Sequence, residues 1–263
     1  MLKTDRMDRV RAALRAQGLT QMIVCDPKSV WYLTGVAVEP YERLLALYLP
    51  TEGEPVLFLN RLFNVPEPPC RTVWHTDTDK PVAQIAEVVD AGRPLGIDKE
   101  WPAKFLIPLM ETHPGMQVVL SSDCVDDCRA CKDAEEQALM REASRINDAV
   151  NEAAKHYIKA GMTEREVAEF IDAQFRAHGC EGPSFTTIVS FGANAADPHP
   201  EPDDPVLKEG GCVLFGMGCV KSRYCSDMTR TWFCGQPTEK QAAVHDLVRR
   251  ANAAAEALIK PGV

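Results

Sequence analysis

The sequence contains no uninterrupted apolar run of the roughly 18 residues that a membrane-spanning helix requires, so no membrane partner is expected. Its opening stretch, MLKTDRMDRVRAALRAQG, is charged throughout and has no apolar h-region. That pattern reads as a first helix and not as a secretory leader. Basic excess is also missing. Lys and Arg number 29 against 38 Asp and Glu, giving a net charge of −9 and a pI near 5.2. A nucleic-acid partner is not expected, because neutralising phosphates needs a basic face. There is no P-loop, no G-x-G-x-x-G, no G-x-S-x-G and no H-x-x-x-H ligand pair. Internal repeats and low-complexity tracts are absent as well. What is present, 45% hydrophobic and 25% charged residues over 263 positions, is ordinary globular usage with length enough for two domains. A soluble, cytoplasmic protein is expected, and in that compartment the ten cysteines read as free, buried thiols.

Periodicity divides the chain. Thr4 is placed to cap a helix over residues 5–17, with Met7, Val10, Ala13 and Leu14 on one face and Gly18 ending it. Segments 22–26, 44–50, 55–59, 95–98 and 116–121 read as strands, and 79–91 and 102–112 as helices. This alternation predicts an α/β domain with a mixed or parallel sheet. The character changes at 125–135, where a short helix rich in Asp and Cys precedes a long helical pattern over 133–159. Gly161 breaks that pattern. Thr163 and Glu166 have capping-box spacing and start a helix running to Gly179. Strands over 186–192, 211–218 and 223–233 follow, then a last helix over 238–258.

Three places could carry chemistry. The run CVLFGMGCVKSRYCSDMTRT (212–231) reads as a β-hairpin turning near Lys221 to Arg223. A turn centred near 221–222 puts position 216 across from 227, give or take two residues, with Cβ atoms about 5 Å apart. Two carboxylates there could clamp a pair of cations about 3.5–4 Å apart. Only one, Asp227, is supplied; position 216 is Gly. Taken alone, Asp227 reads first as a structural acceptor for Ser226, Thr229 and Thr231, and second as a metal ligand. The second place is His199 in NAADPHPEPDD (194–204), stiffened by Pro198, Pro200, Pro202 and Pro205. It fits an exposed loop histidine, and it also fits a fixed hydrogen-bonding group aimed at a substrate. The third is CVDDCRAC (124–131), whose C-x3-C-x2-C spacing matches the iron–sulfur ligands of radical enzymes that use S-adenosylmethionine, or part of a zinc site. Its context, ahead of a long helix with no fourth ligand nearby, favours spare thiols.

The hairpin and the proline-rich loop together resemble a known family. GPSFTTIVSFGANAADPHPEPDD, LKEGGCVLFGMG and YCSDMTRTW are similar to the opening of the catalytic domain in Xaa-Pro dipeptidases, aminopeptidase P and creatinase, the pita-bread metallopeptidases. KDAEEQALMREASRINDAV resembles the first catalytic-domain helix, and SVWYLTG (29–35) a segment of the N-terminal domain. The resemblance implies a creatinase-like α/β domain over 1–130 and the first part of a pita-bread α+β catalytic domain over 131–263, its C-terminal part absent. It implies hydrolysis of peptide bonds next to proline by two divalent metal ions (Mn, Co or Zn), and a homodimer when full length. In that frame Asp227 corresponds to the second metal-binding aspartate, and His199 to the loop histidine that contacts the peptide substrate. Two departures stand out. The family's D-x-G reads Gly216-Met217-Gly218, and the chain stops at IKPGV, ahead of the G-H-G-x-G histidine and two glutamates of relatives. The expectation is therefore an inactive fragment that does not bind the metal pair by itself. The alternatives are a metal-free creatinase-like hydrolase of carbon–nitrogen bonds, or a non-catalytic peptide-binding module.

Overall fold

The computed structural model describes residues 2–198 and 202–263. The chain divides into two compact units, one running to Lys132 and the other starting at Asp133.

The first unit opens with α1 (Thr4–Ala16), which buries Met7, Val10 and Leu14 at helical spacing. Thr4 does not cap it. Lys3 occupies the cap position without a side-chain capping bond to the helix, and Thr4 is already helical. β1 (Gln21–Val24) leads into α2 (Pro27–Thr34). The Asp26 carboxylate caps α2 by accepting from the Lys28 and Ser29 N–H groups, and Gly35 ends it at φ 74°, a conformation costly for any side chain. β2 (Ala46–Pro50), β3 (Val56–Asn60), β4 (Arg71–His75), α3 (Pro81–Ala86), β5 (Leu95–Ile97), α4 (Ala103–Thr112), β6 (Val118–Leu120) and α5 (Asp123–Ala130) complete it.

The strands form one mixed sheet in the order β4-β3-β2-β1-β5-β6. β1, β2 and β3 pair antiparallel, whereas β3/β4, β1/β5 and β5/β6 are parallel. Period-two alternation feeds two cores. Met22, Val24, Leu47, Leu49, Leu57 and Leu59 pack together with residues of α1, α2 and α5. Ile23, Ala46, Val56 and Phe58 pack with residues of α3 and α4. Both faces are covered, which is why the central strands are apolar at nearly every position.

In the second unit α6 (Ala134–Tyr157) and α7 (Glu164–Ala177) both begin with capping boxes, Asp133 with Glu136 and Thr163 with Glu166. They are followed by β7 (Gly182–Pro183), β8 (Ile188–Phe191), a 3-10 turn (Gly192–Ala196), β9 (Cys212–Met217), β10 (Cys219–Lys221), β11 (Tyr224–Cys225), β12 (Met228–Phe233) and α8 (Glu239–Glu256). Two three-stranded antiparallel sheets result, ordered β12-β9-β8 and β11-β10-β7. Val213, Phe215 and Met217 of β9 and Val189 of β8 bury against Ala143, Val150, Val167, Ile171 and Phe175 of the two long helices. α8 has its own capping box, Thr238 with Gln241, but none of its residues is buried.

Phe215 is fully buried on the central strand of its sheet. Replacing it by alanine is expected to cost about 3–5 kcal/mol of stability, read as a lower denaturant midpoint with the slope of the transition unchanged.

Candidate active site

The hairpin is built around a tight turn. Ser222 and Arg223 both adopt left-handed backbone angles, φ 49° and 68°, between the paired ends of β10 and β11. Two consecutive left-handed residues match the twist of antiparallel strands, although Asn-Gly is the usual occupant. The turn thus centres between residues 222 and 223, slightly later than the sequence suggested. The same register runs on through β9 and β12, where Gly216 pairs with Thr229 and Met217 with Met228. Position 216 therefore faces 229, at the edge of the expected window, and Asp227 falls in the short break between β11 and β12.

That break has a structural cause at Gly218. A Cβ on Gly218 would overlap the Ser226 carbonyl oxygen and Ser184 Oγ. Ser184 Oγ donates to that same carbonyl at 2.8 Å. The Ser226 N–H donates to the Cys219 carbonyl at 2.9 Å, and Ser226 Oγ accepts from the Cys219 N–H at 3.0 Å. From α6, Asn147 Nδ2 donates to the Met217 carbonyl at 3.1 Å. The hydroxyl of Ser226, expected to serve Asp227, is thus engaged with β10. Asp227 itself is exposed and has no hydrogen-bond or ion-pair partner among the described residues.

Gly216 is buried, and a Cβ built there would stand 3.2 Å from the Cβ of Ile188 on β8. The two strands approach more closely than two side chains would allow without a small adjustment. Among the described residues no group of three or more His, Cys, Asp or Glu is arranged to hold a metal ion. His199 lies outside the described residues. Just before it, the 3-10 turn at 192–196 leaves β8.

The cysteine run resolves into helix packing. Cys124 is buried and Cys128 half-buried, both against the core beside α1 and α2, while Cys131 is exposed at the end of α5. All ten cysteines are free, but only Cys25, Cys124 and Cys219 are buried, fewer than expected. Two of the other histidines do structural work. His75 is buried between Asn60 and the Leu44 carbonyl, and His113 bonds the Ala86 carbonyl at 3.0 Å. A cavity of about 570 Å³ in the first unit is lined by Asp26, Asp98 and Arg129 among others. Three of its charged groups are already engaged: Arg129 with Asp26 at 3.2 Å, and Asp98 with the N–H groups of Cys25, Asp26 and Glu100.

Comparison with known proteins assigns the family. The model of the Creatinase/Prolidase N-terminal domain matches residues 6–131, and that of Metallopeptidase family M24 matches 138–263. An uncharacterized peptidase of Staphylococcus epidermidis is 30% identical over 262 residues, spanning 98% of this chain and 74% of its own. The chain belongs to metallopeptidase family M24. A prolidase from Thermococcus sibiricus aligns over 100% of this M24 chain and 74% of its own, at 28% identity and a TM-score of 0.91. Dipeptidase PepE from Mycobacterium ulcerans aligns over 96% and 70%, at 29% identity and a TM-score of 0.87. The architecture is accordingly a creatinase-type α/β domain followed by a domain of the pita-bread type.

Peptidases of M24 are dinuclear metal enzymes, and the described residues of this chain do not fit that metal pair. Gly216 has no donor atom, and Asp227 stands alone. One residue passed over by the sequence reading is Glu164, the first residue of α7, which is fully buried beside the end of β8. Its neighbours Thr163 and Glu166 carried the recognisable capping signal, whereas its own partners are distant in sequence.

Two outcomes follow from this geometry. Gly218→Ala forces a methyl group onto a backbone carbonyl, and a loss of about 1–3 kcal/mol is expected in a denaturation experiment. Burial raises the pKa of Cys124 to about 11, and partial burial, with Cys219 beside it, raises that of the half-buried Cys180 to about 12. Iodoacetamide at pH 8, followed by mass spectrometry, should therefore label the exposed Cys131 and Cys225 well before those two.

Proposed function

We propose that this chain belongs to the branch of M24 that handles short peptides with proline after the scissile bond, as Xaa-Pro dipeptidases and aminopeptidase P do. The observation that carries the reading is the alignment, across both domains, with a prolidase and a dipeptidase. In this reading His199 is the group that meets the peptide, and Asp227 is the hairpin carboxylate on the metal side. Manganese, cobalt or zinc would be the metal, the cytoplasm the location, and a homodimer the working form of the enzyme. No nucleic acid or membrane takes part.

The 263 residues by themselves are proposed to be inactive as a peptidase. A divalent ion gives up bound waters only when several protein oxygens or nitrogens replace them. One hairpin carboxylate, with a glycine at 216 in place of a second, cannot do that for two ions.

Gly216 favours a second reading. A hairpin with a glycine at the first ligand position suits a metal-free relative that hydrolyses a carbon–nitrogen bond, or a domain that binds peptides without cleaving them.

Incubation with an Xaa-Pro dipeptide and added manganese, followed by an assay for free proline, is expected to show no turnover. Metal-dependent release of proline would refute the inactivity. Binding of the dipeptide without release would support the second reading.

A further inference from the structure

Glu164 is fully buried, yet it carries a carboxylate. Burying such a group is costly unless its oxygens are filled by donors. Here they are filled by Phe191 and Asn194 on one side and by Asp203 on the other. Oε1 accepts from the Phe191 N–H at 2.6 Å, at the last residue of β8. Asn194 Nδ2 reaches both oxygens, at 3.2 and 3.4 Å. Oε2 accepts from the Asp203 N–H at 3.2 Å, where the chain returns. The position, in the first turn of α7, adds the favourable field of a helix N-terminus.

Neighbouring contacts fasten the returning segment to the same end of α7. The Arg165 N–H donates to the Asp203 carbonyl at 3.2 Å, and the Arg165 guanidinium pairs with Asp204 at 3.2 Å. The Leu207 N–H donates to the Met162 carbonyl at 2.8 Å, and the Gly161 N–H to the Leu207 carbonyl at 2.9 Å. These contacts hold only the returning segment. Among the described residues, Glu164 alone bonds both the departing and the returning backbone.

We propose that Glu164 is an anchoring residue: its carboxylate ties Phe191 to Asp203 and so fixes the separation of these two backbone positions. The bearing on peptide handling rests on the role given to His199 above, whereas the anchor itself does not. The physical requirement is specific. The described groups that bond Glu164 are all donors, so only a side chain that accepts at both oxygens satisfies both ends. Glutamine has the same shape but turns one N–H2 toward a donor, leaving one end unbonded.

Hydrogen exchange of backbone amides in the full chain tests this, without reference to any activity. In the wild type, the Phe191 and Asp203 amides are expected to exchange as slowly as the amides inside β9. An Asp203 amide exchanging at a free-loop rate would overturn the proposal, and this arm needs no variant. In Glu164→Gln, one or both of these amides should exchange about tenfold faster, the effect of losing one charge-assisted hydrogen bond, while α6 and β9 keep their protection. Unchanged protection at both positions, or acceleration spread evenly over the unit, would overturn it. A separate titration with glycyl-proline reports on the peptide reading, so the two can fail independently.

Discussion

The left-handed pair Ser222 and Arg223 decides where every residue of the hairpin stands. Because strand side chains alternate faces with period two, moving the turn by a single position changes each partner by two residues and leaves the faces unchanged. The consequence falls on Gly216, which meets Thr229 and not the aspartate. Gly218 then completes the arrangement. Lacking a Cβ, it lets the Ser226 backbone cross close to it, and β9 gives way to β10 at that point.

The hairpin is held from one side. Val213, Phe215 and Met217 point into a core made by α6 and α7, and those helices begin at sharply defined positions because each has a reciprocal cap. The intervening β9 residues lie on the other face, where Gly216 is buried and Thr229 exposed. Packing and chemistry are thus divided between the two faces of one strand. A substitution on the helix-facing side is a stability change, whereas a substitution at 216 alters what the opposite face can bind.

Much of the architecture was legible from local patterns. The apolar strands β2 and β3 and the capping box of α7 each carry their signal within a few residues. β4 was not legible: it lies at the edge of its sheet, with an exposed first residue and half-buried middle ones, so alternation is blurred. Thr4 misled because a capping residue type can equally sit one position inside a helix. The family motif was legible in SDMTRT and in the proline-rich loop. The partners of Glu164 were not, since they lie 27 and 39 residues away and are joined only when α7 meets the end of β8. His199 lies outside the described residues.

α8 differs from every other long helix in the chain. Its Val244, Leu247 and Val248 are 53%, 57% and 62% exposed, although they lie on adjoining turns. Its contacts with the rest of its unit include the edge of Phe233 against His245 and a weak bond from Gln241 to the Gly210 carbonyl at 3.5 Å. A helix of 18 residues with a good cap and little burial sits near the balance point of the helix–coil equilibrium. Its helicity should therefore fade gradually on warming, as a pretransition slope in circular dichroism, before the cooperative unfolding that the buried strands govern.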